Sequence, residues 1–294
     1  MVYRIHPSIP LVWRSPTSVQ FGVDTPRVVL HDVTPTEELL VAALVAGVHP
    51  SGLAMIARSA GGVDADVEQL LSRLAPVLAP EQPARIASTA EGLTLSASAA
   101  RDGSAEVAVV GAGPTVDRIA ELLAAEGVRV AVTASAAGAP TALAIAVAHY
   151  VLDPELYGYW LRRDIPHLPV IFGDTGVTIG PVVTPGRGPC LYCLERHRTD
   201  ADGAWPAIAA QLWGRVSPVE SALVSREVAA RVTRLAVGVL AGDGRWTATS
   251  VRLNAADGIF AARTERPHPR CGCISPTLAF TPDAAAPASA ESAG

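Results

Sequence analysis

The chain has 294 residues, of which 49% are hydrophobic and 17% charged, with a formal net charge of −5. That length holds two ordinary domains around buried cores, and the composition is globular rather than disordered. The acidic balance argues against a nucleic-acid surface over the whole molecule, though a local basic patch stays open. No apolar run of about 18 residues occurs, and the N-terminus lacks a charged-then-apolar signal, so a soluble, cytoplasmic protein with no membrane partner is expected. All 23 basic residues are arginine. A Walker-A lysine, a Schiff-base lysine and a lysine phosphate clamp are therefore excluded.

In chain order, residues 10–33 predict short strands, with Val12, Val19, Phe21, Val23, Val28 and Leu30 at the apolar or β-branched positions. Thr34-Pro35-Thr36-Glu37 supplies an N-cap, a proline at the first helical position and an acid at the third, so a helix follows and stops at Gly47. A shorter helix covers "SGLAMIARSAGG". A third begins on Asp64 with Val67, Leu70, Leu71, Leu74 and Leu78 on one side. Three strands and three helices predict a winged-helix-like module over residues 1–80. Residues 81–104 read as a Pro-, Ser- and Ala-rich connector holding one possible strand, "GLTLSAS".

From residue 105 the pattern becomes α/β. "AEVAVVGAGPTVDRIAELLAAEGVRVAVT" reads strand, glycine turn, helix, strand; "TALAIAVAHYVL" is a buried parallel strand. "PELYGYWLRRD" is a helix, "HLPVIFG" a strand, and "VTIGPVV" pairs back after the Asp-Thr-Gly turn. A long helix is expected over 217–242, its apolar Val224, Val228, Val232, Leu235 and Val239 recurring every three or four residues. It either covers a face of the sheet or makes a dimer contact. "WTATSVRLN" and "GIFAART" form a hairpin around "AADG". The α/β unit is placed at 105–281, and the low-complexity stretch 282–294 is expected to be disordered.

The chain has four cysteines: Cys190 and Cys193 in a C-x-x-C, Cys271 and Cys273 in a C-x-C. In a reducing compartment, close-spaced cysteine pairs more often bind metal than form disulfides. Two thiolates from each knuckle complete a tetrahedral zinc shell, with Gly272 and the Gly-Pro before Cys190 letting backbone N–H groups face sulfur. A closed four-thiolate shell leaves no open position for water, so the zinc is expected to be structural. The competing readings are a redox C-x-x-C, which needs no C-x-C partner, and unliganded thiols. His197, His268 and Asp200 stand nearby as spare ligands.

Gly111-Ala112-Gly113 between a strand and a helix is the opening of a nucleotide-binding βαβ unit. The pattern is degraded: Val116 takes the third glycine position, and no Asp or Glu occurs between Glu126 and Asp153, where a ribose-binding acid belongs. Gly111 and Gly113 are thus weak cofactor-site candidates, and no ATP is expected there.

The segment "HLPVIFGDTGVTIGPVVTPGRGPCLYCLERHRTDADGAWP" with "PHPRCGC" downstream resembles the ThiF-like (ubiquitin-activating-enzyme-like) C component of azoline cyclodehydratases, which serve biosynthesis of thiazole/oxazole-modified peptides. The resemblance spans nearly the whole chain and is most specific at Pro-Gly-x-Gly-Pro-Cys-Leu-x-Cys-Leu. It is to the short actinobacterial members termed bacteriocin-biosynthesis cyclodehydratase-domain proteins. It implies a Rossmann-type α/β domain behind a winged-helix leader-peptide recognition module. There an extended precursor leader peptide adds beside the third strand, against the third helix. Mapped here, those pieces are "PRVVLHDV" and "DADVEQLLSRL", with Arg27, Val28, Val29, Leu30, Glu68 and Leu71 as candidate peptide-binding residues. The plainer reading has Val28, Leu30 and Leu70 building only the module's core. The resemblance further implies a homodimer and a separate YcaO-type partner that uses ATP for the cyclodehydration.

The expectation is therefore a non-catalytic, peptide-binding, partner-activating subunit. One alternative is an ATP-dependent ThiF-like adenylyltransferase acting on a peptide or protein carboxylate, with Arg118, Arg162 and Arg163 available to hold phosphate. The other is a DNA-binding regulator, which the candidate recognition helix disfavours, because it sets one Arg against Asp64, Asp66 and Glu68.

Overall fold

The computed structural model describes residues 2–79, 107–134 and 141–273. The connector 81–104 with its possible strand, and the tail 282–294, lie outside these residues.

The N-terminal unit opens with three short strands, β1 (Leu11–Ser15), β2 (Ser18–Phe21) and β3 (Val28–Leu30), in an antiparallel sheet of that order. Helices α1 (Pro35–Ala46), α2 (Pro50–Ser59) and α3 (Asp64–Leu74) follow, the last running into one 3-10 turn at Ala75–Val77. The capping box forms as the sequence implies: the Thr34 hydroxyl accepts from Glu37 N–H, and the Glu37 carboxylate accepts from Thr34 N–H at 2.9 Å. Such a cap contributes about 1 kcal/mol. Phe21, Leu30, Leu40, Leu44, Leu53, Leu70 and Leu74 make one core. On α3, Val67, Leu70 and Leu74 are buried and Leu71 is half-buried, whereas Leu78 lies beyond the helix, after the 3-10 turn, in a β-bridge with Ile5. Asp64, Asp66 and Glu68 are exposed, and Arg73 is engaged with Glu37 at 2.8 Å. This helix offers acid, not base, to solvent.

The second unit runs β4 (Val107–Val110), α4 (Pro114–Ala125), β5 (Val130–Thr133), β6 (Leu143–His149), α5 (Pro154–Leu161), β7 (His167–Phe172), β8 (Gly176–Ile179), α6 (Leu191–Ala201), α7 (Trp205–Leu212), α8 (Ala222–Leu240), β9 (Thr249–Asn254) and β10 (Phe260–Thr264). The sheet order is β10-β9-β8-β7-β6-β4-β5. Pairs among β5, β4, β6 and β7 are parallel, and β8 turns back to begin an antiparallel half ending in the β9–β10 hairpin.

Alternation along β6 shows how both faces are covered. Leu143, Ile145 and Val147 point to a core shared with α4 and α8; Ala144 and Ala146 point to another shared with Tyr157 and Trp160 of α5 and Leu191 of α6. The apolar stripe of α8, from Val224 to Leu235, is consumed on the sheet, so this helix covers a face as the simpler reading has it. It starts five residues later than the sequence suggested: Pro218 and Glu220 belong to a loop, and Ser221 caps the helix through Val224 N–H. Helices α6 and α7 have no counterpart in the sequence reading.

Candidate functional site

The four cysteines converge. Cys190 caps α6 and Cys193 lies in its first turn, while Cys271 and Cys273 arrive on the segment after β10. Their sulfur atoms all lie within 4.8 Å of one another, with Cys190 Sγ 3.7 Å from both Cys193 Sγ and Cys271 Sγ and Cys193 Sγ 3.3 Å from Cys273 Sγ. A tetrahedral zinc with bonds of about 2.3 Å has sulfur edges of about 3.8 Å, so the donor set fits such an ion. Cys190 and Cys193 are buried, and the other two are half-buried. Burial pushes the Cys190 thiol up and Cys273 up to about 12; burial acts the same way on Cys193, but backbone donors at His268 and Cys190 outweigh it and hold it low. The raised thiols are neutral on their own, and a cation held among the four sulfur atoms would draw them to the thiolate form.

A redox pair also favours a helix N-terminus, which Cys190 occupies. The C-x-C within sulfur-contact distance is what distinguishes this cluster. The spare ligands are engaged elsewhere: buried His268 Nε2 lies 2.9 Å from Asp200 Oδ2, and His197 Nε2 lies 3.1 Å from the Arg266 carbonyl. Gly272 meets no steric demand from the described residues, none of whose atoms lies within 4 Å of where its Cβ would stand.

The glycine turn occupies the place where this fold takes ligands. The connection through α4 carries the chain from β4 to β5 on one side, and β6 adds on the other, so the switch point lies beyond the C-terminal ends of β4 and β6. Gly111 (φ 133°) passes so close to β6 that a Cβ would stand 2.6 Å from the Val147 carbonyl oxygen. Gly113 (φ 111°) opens α4. Yet the seat in front of that helix holds a side chain of the protein itself. Glu220 Oε1 accepts from Thr115 N–H at 3.1 Å, and both its carboxylate oxygens stand 3.3 Å from where a Gly113 Cβ would be. The Glu220 side chain is 8% exposed. His149 accepts from Ser217 N–H at Nδ1, which leaves its Nε2 proton to face Glu220 Oε2 at 3.4 Å. Burial lowers the His149 pKa, opposed by the Glu220 charge. An internal anion thus fills the position in which a helix N-terminus attracts phosphate.

Of the candidate peptide residues, Val28, Val29 and Leu30 form β3, Arg27 precedes it, and Glu68 and Leu71 lie on α3. Arg27 and Glu68 are exposed, Val28, Val29 and Leu71 half-buried, and Leu30 is 1% exposed. Leu30 is therefore a core residue, as the plainer reading has it. The two outer edges of the three-stranded sheet differ. The β1 edge is closed by α7: Gln211 accepts from Trp13 N–H at 2.8 Å and donates to Trp13 O at 2.7 Å, in the manner of a neighbouring strand, and Arg215 donates to Leu11 O. Among the described residues, the outer edge of β3 carries no such contact.

The two units are fastened together beside β3. Asp174, in the β7–β8 turn, accepts from Val23 and Asp24 N–H at 2.9 and 2.8 Å; Asp24 accepts in return from Thr175 N–H at 2.9 Å and from Arg252 Nη2 at 2.8 Å. Burial raises Asp174, and although burial acts likewise on Asp24, Arg252 outweighs it. Arg14 grips Asp202 bidentately at 2.8 and 2.7 Å, and Val12, Tyr150, Ile208 and Leu212 form an apolar seam. None of Glu220, Asp24, Asp174 or Arg252 was singled out from the sequence. Each acts on a partner more than 100 residues away, and no local spacing marks such a residue.

No protein family model matches the chain, and no curated protein matches it in sequence. Solved structures with a similar backbone include a chain of the E. coli microcin synthetase McbBCD complex (11% identity, TM-score 0.45, covering 93% of this chain and 100% of that one). E. coli MccB with AMPCPP and MccA aligns at 10% identity, with a TM-score of 0.45, over 94% of this chain and 100% of that one. The heterocyclase TruD aligns at 17% identity with a TM-score of 0.41 over 93% of this chain, which spans 42% of the TruD chain. Likenesses this remote assign no activity. No described helix is long and apolar enough to cross a membrane.

Proposed function

We propose that this protein is a non-catalytic subunit of an azoline-forming peptide-modification system: it binds the leader of a precursor peptide and presents it to a YcaO-type cyclodehydratase that supplies the ATP chemistry. The observation that carries the reading is the inequality of the two sheet edges in the N-terminal unit. Side chains of α7 satisfy β1, whereas a clasp at Val23 and Asp24 ties the loop before β3 to the α/β unit and, among the described residues, the outer edge of β3 is open. An open edge is what strand addition needs: main-chain bonds give affinity, and side chains such as Val29, Glu68 and Leu71 give selectivity. The unit is read as the winged-helix-like recognition module.

Two further features support it. Glu220 occupies the phosphate seat at α4, so a nucleotide would have to displace a buried carboxylate and face its repulsion. The four cysteines suit a structural zinc, which when bound cross-links the α6 N-terminus to the segment after β10 and leaves no position for water. Close-spaced cysteines left free of disulfides also favour a cytoplasmic protein.

The test uses peptides selected from a random display library against the full, zinc-loaded chain. Hydrogen exchange with a selected peptide bound is expected to show new protection at residues 27–31. Protection confined to surfaces away from β3 contradicts the reading.

A further inference from the structure

A cleft of about 490 Å³ opens between the units, over the outward face of β7, β8 and β9 and under α6 and α7. Pro26 borders it on the N-terminal side; Tyr150, Thr178, Ala201, Trp205 and Ser250 line it from the α/β side. Its size is that of a small-ligand site. Its charge is the unusual part. Four carboxylates face it, and each is already matched within the chain. Asp24 is held by Arg252 at 2.8 Å, Asp202 by Arg14 and Glu195 by Arg198 at 2.8 Å, and Glu265 accepts from Ser250 Oγ at 2.6 Å with Arg263 Nε 3.6 Å away. Cancelled charges give little field to attract an ion. Arg198, Arg252 and Arg263 line the cleft as the partners of three of these carboxylates, and beside the pairs stand His197, hydroxyl groups, aromatic surface and apolar wall, which suit main-chain amides and small uncharged side chains.

The cleft is continuous with the start of β3. The existing pairs in that sheet are antiparallel, and antiparallel ladders are the slightly more stable kind. A strand added antiparallel to β3 runs from the Leu30 end towards Val28 and leaves the sheet at Arg27 and Pro26. Pro26 is part of the cleft wall. The clasp at Asp24 and Asp174 fixes that exit against the α/β unit.

We propose that the cleft is a second peptide subsite, taking a few uncharged, polar residues that follow the strand docked on β3. The inference rests on the peptide-binding reading above and extends it to the segment beyond the leader strand. Its chemical preference is for Ser-, Thr-, Cys- or Gly-type residues over Asp, Glu, Arg or Lys.

The experiment takes a library-selected peptide in two forms, full-length and cut back to the segment that protects β3, and measures affinity for the native chain and for Ala201→Trp. Ala201 is an exposed residue on the cleft wall, so the larger ring fills the space without entering a core. The full peptide is expected to lose about tenfold in affinity on Ala201→Trp while the shortened one is unchanged, since only contacting groups couple in such a cycle. A benzophenone at the residue following the docked segment is expected to cross-link within 194–208. Equal loss for both peptides, or no loss for either, together with cross-links elsewhere, overturns the subsite and leaves β3 docking standing. Absence of protection at β3, or failure of the library to yield any peptide, overturns the peptide-binding reading itself and the subsite with it.

Discussion

The cysteine cluster and the glycine turn are both motif sites at helix N-termini, and they have met opposite fates. At α6 the local motif is joined by a second, about 80 residues later, and the four sulfur atoms form a complete donor shell. At α4 the local motif keeps its backbone course, with Gly111 and Gly113 in conformations that favour glycine, but the arriving group is Glu220, an anion that takes the ligand's place. A local motif sets up the geometry; the distant residue that folds onto it decides whether the geometry receives a ligand or is closed. Here one motif is completed and the other filled.

The largest effect is expected at the completed site. Cys193→Ser, at a position with no solvent exposure, should abolish zinc binding and cost on the order of 5 kcal/mol of stability; metal analysis and urea unfolding measure both. The native protein should carry about one zinc per chain, and retention of full stability without metal breaks the comparison at its stronger end.

The next effect is pH-linked and sits under α5 on the cysteine side of the sheet. His167 is 1% exposed and packs on Trp160, and burial lowers its pKa from 6.5 to about 4. The unfolded chain takes up a proton that the folded chain refuses, so this contribution is whole above pH 6.5 and is lost as pH falls towards 4. The loss amounts to about 3 kcal/mol. Unfolding of the native chain and His167→Gln across pH 7 to 4 isolates it: the difference between their slopes should disappear above pH 7.

Between the units, Asp24→Ala removes the clasp's acceptor for Thr175 and Arg252 and should cost about 2 kcal/mol, with the N-terminal unit becoming more readily proteolysed. At the filled site, Glu220→Ala strips the partner of Thr115 N–H and should cost about 1 kcal/mol in thermal unfolding. The smallest effect belongs to the exposed Arg118–Glu121 pair on α4, where Arg118→Ala should change stability by less than about 0.5 kcal/mol. A larger cost there than at Glu220 would mean that the N-terminal seat of α4 is not what holds the helix.

Much of the architecture was legible because it is written in local patterns. Thr34 and Glu37 mark a helix start three residues apart, the Leu143–His149 run is too apolar for a surface strand, and the Asn254–Phe260 turn lies between two alternating segments. Helices α6 and α7 were not legible: "LERHRTDADGAWP" is polar, and Gly203 and Pro206 interrupt it. These helices are held by tertiary contacts, through Cys193 and Leu191 below α6 and Ile208 and Leu212 below α7. The metal-type cluster was readable because cysteine spacing is itself a chemical signal. Glu220 was not, because it lies in a segment whose periodicity looks helical and its partner is Thr115, 105 residues earlier.

The central claim, that the body stapled by the cysteines is a docking scaffold with its phosphate seat closed, is tested most directly by ATP–pyrophosphate exchange. The zinc-loaded chain, with a selected peptide present, should give no exchange above the protein-free control. Exchange that is robust in the native chain and abolished by Gly113→Asp would contradict the account and identify an adenylate-forming enzyme.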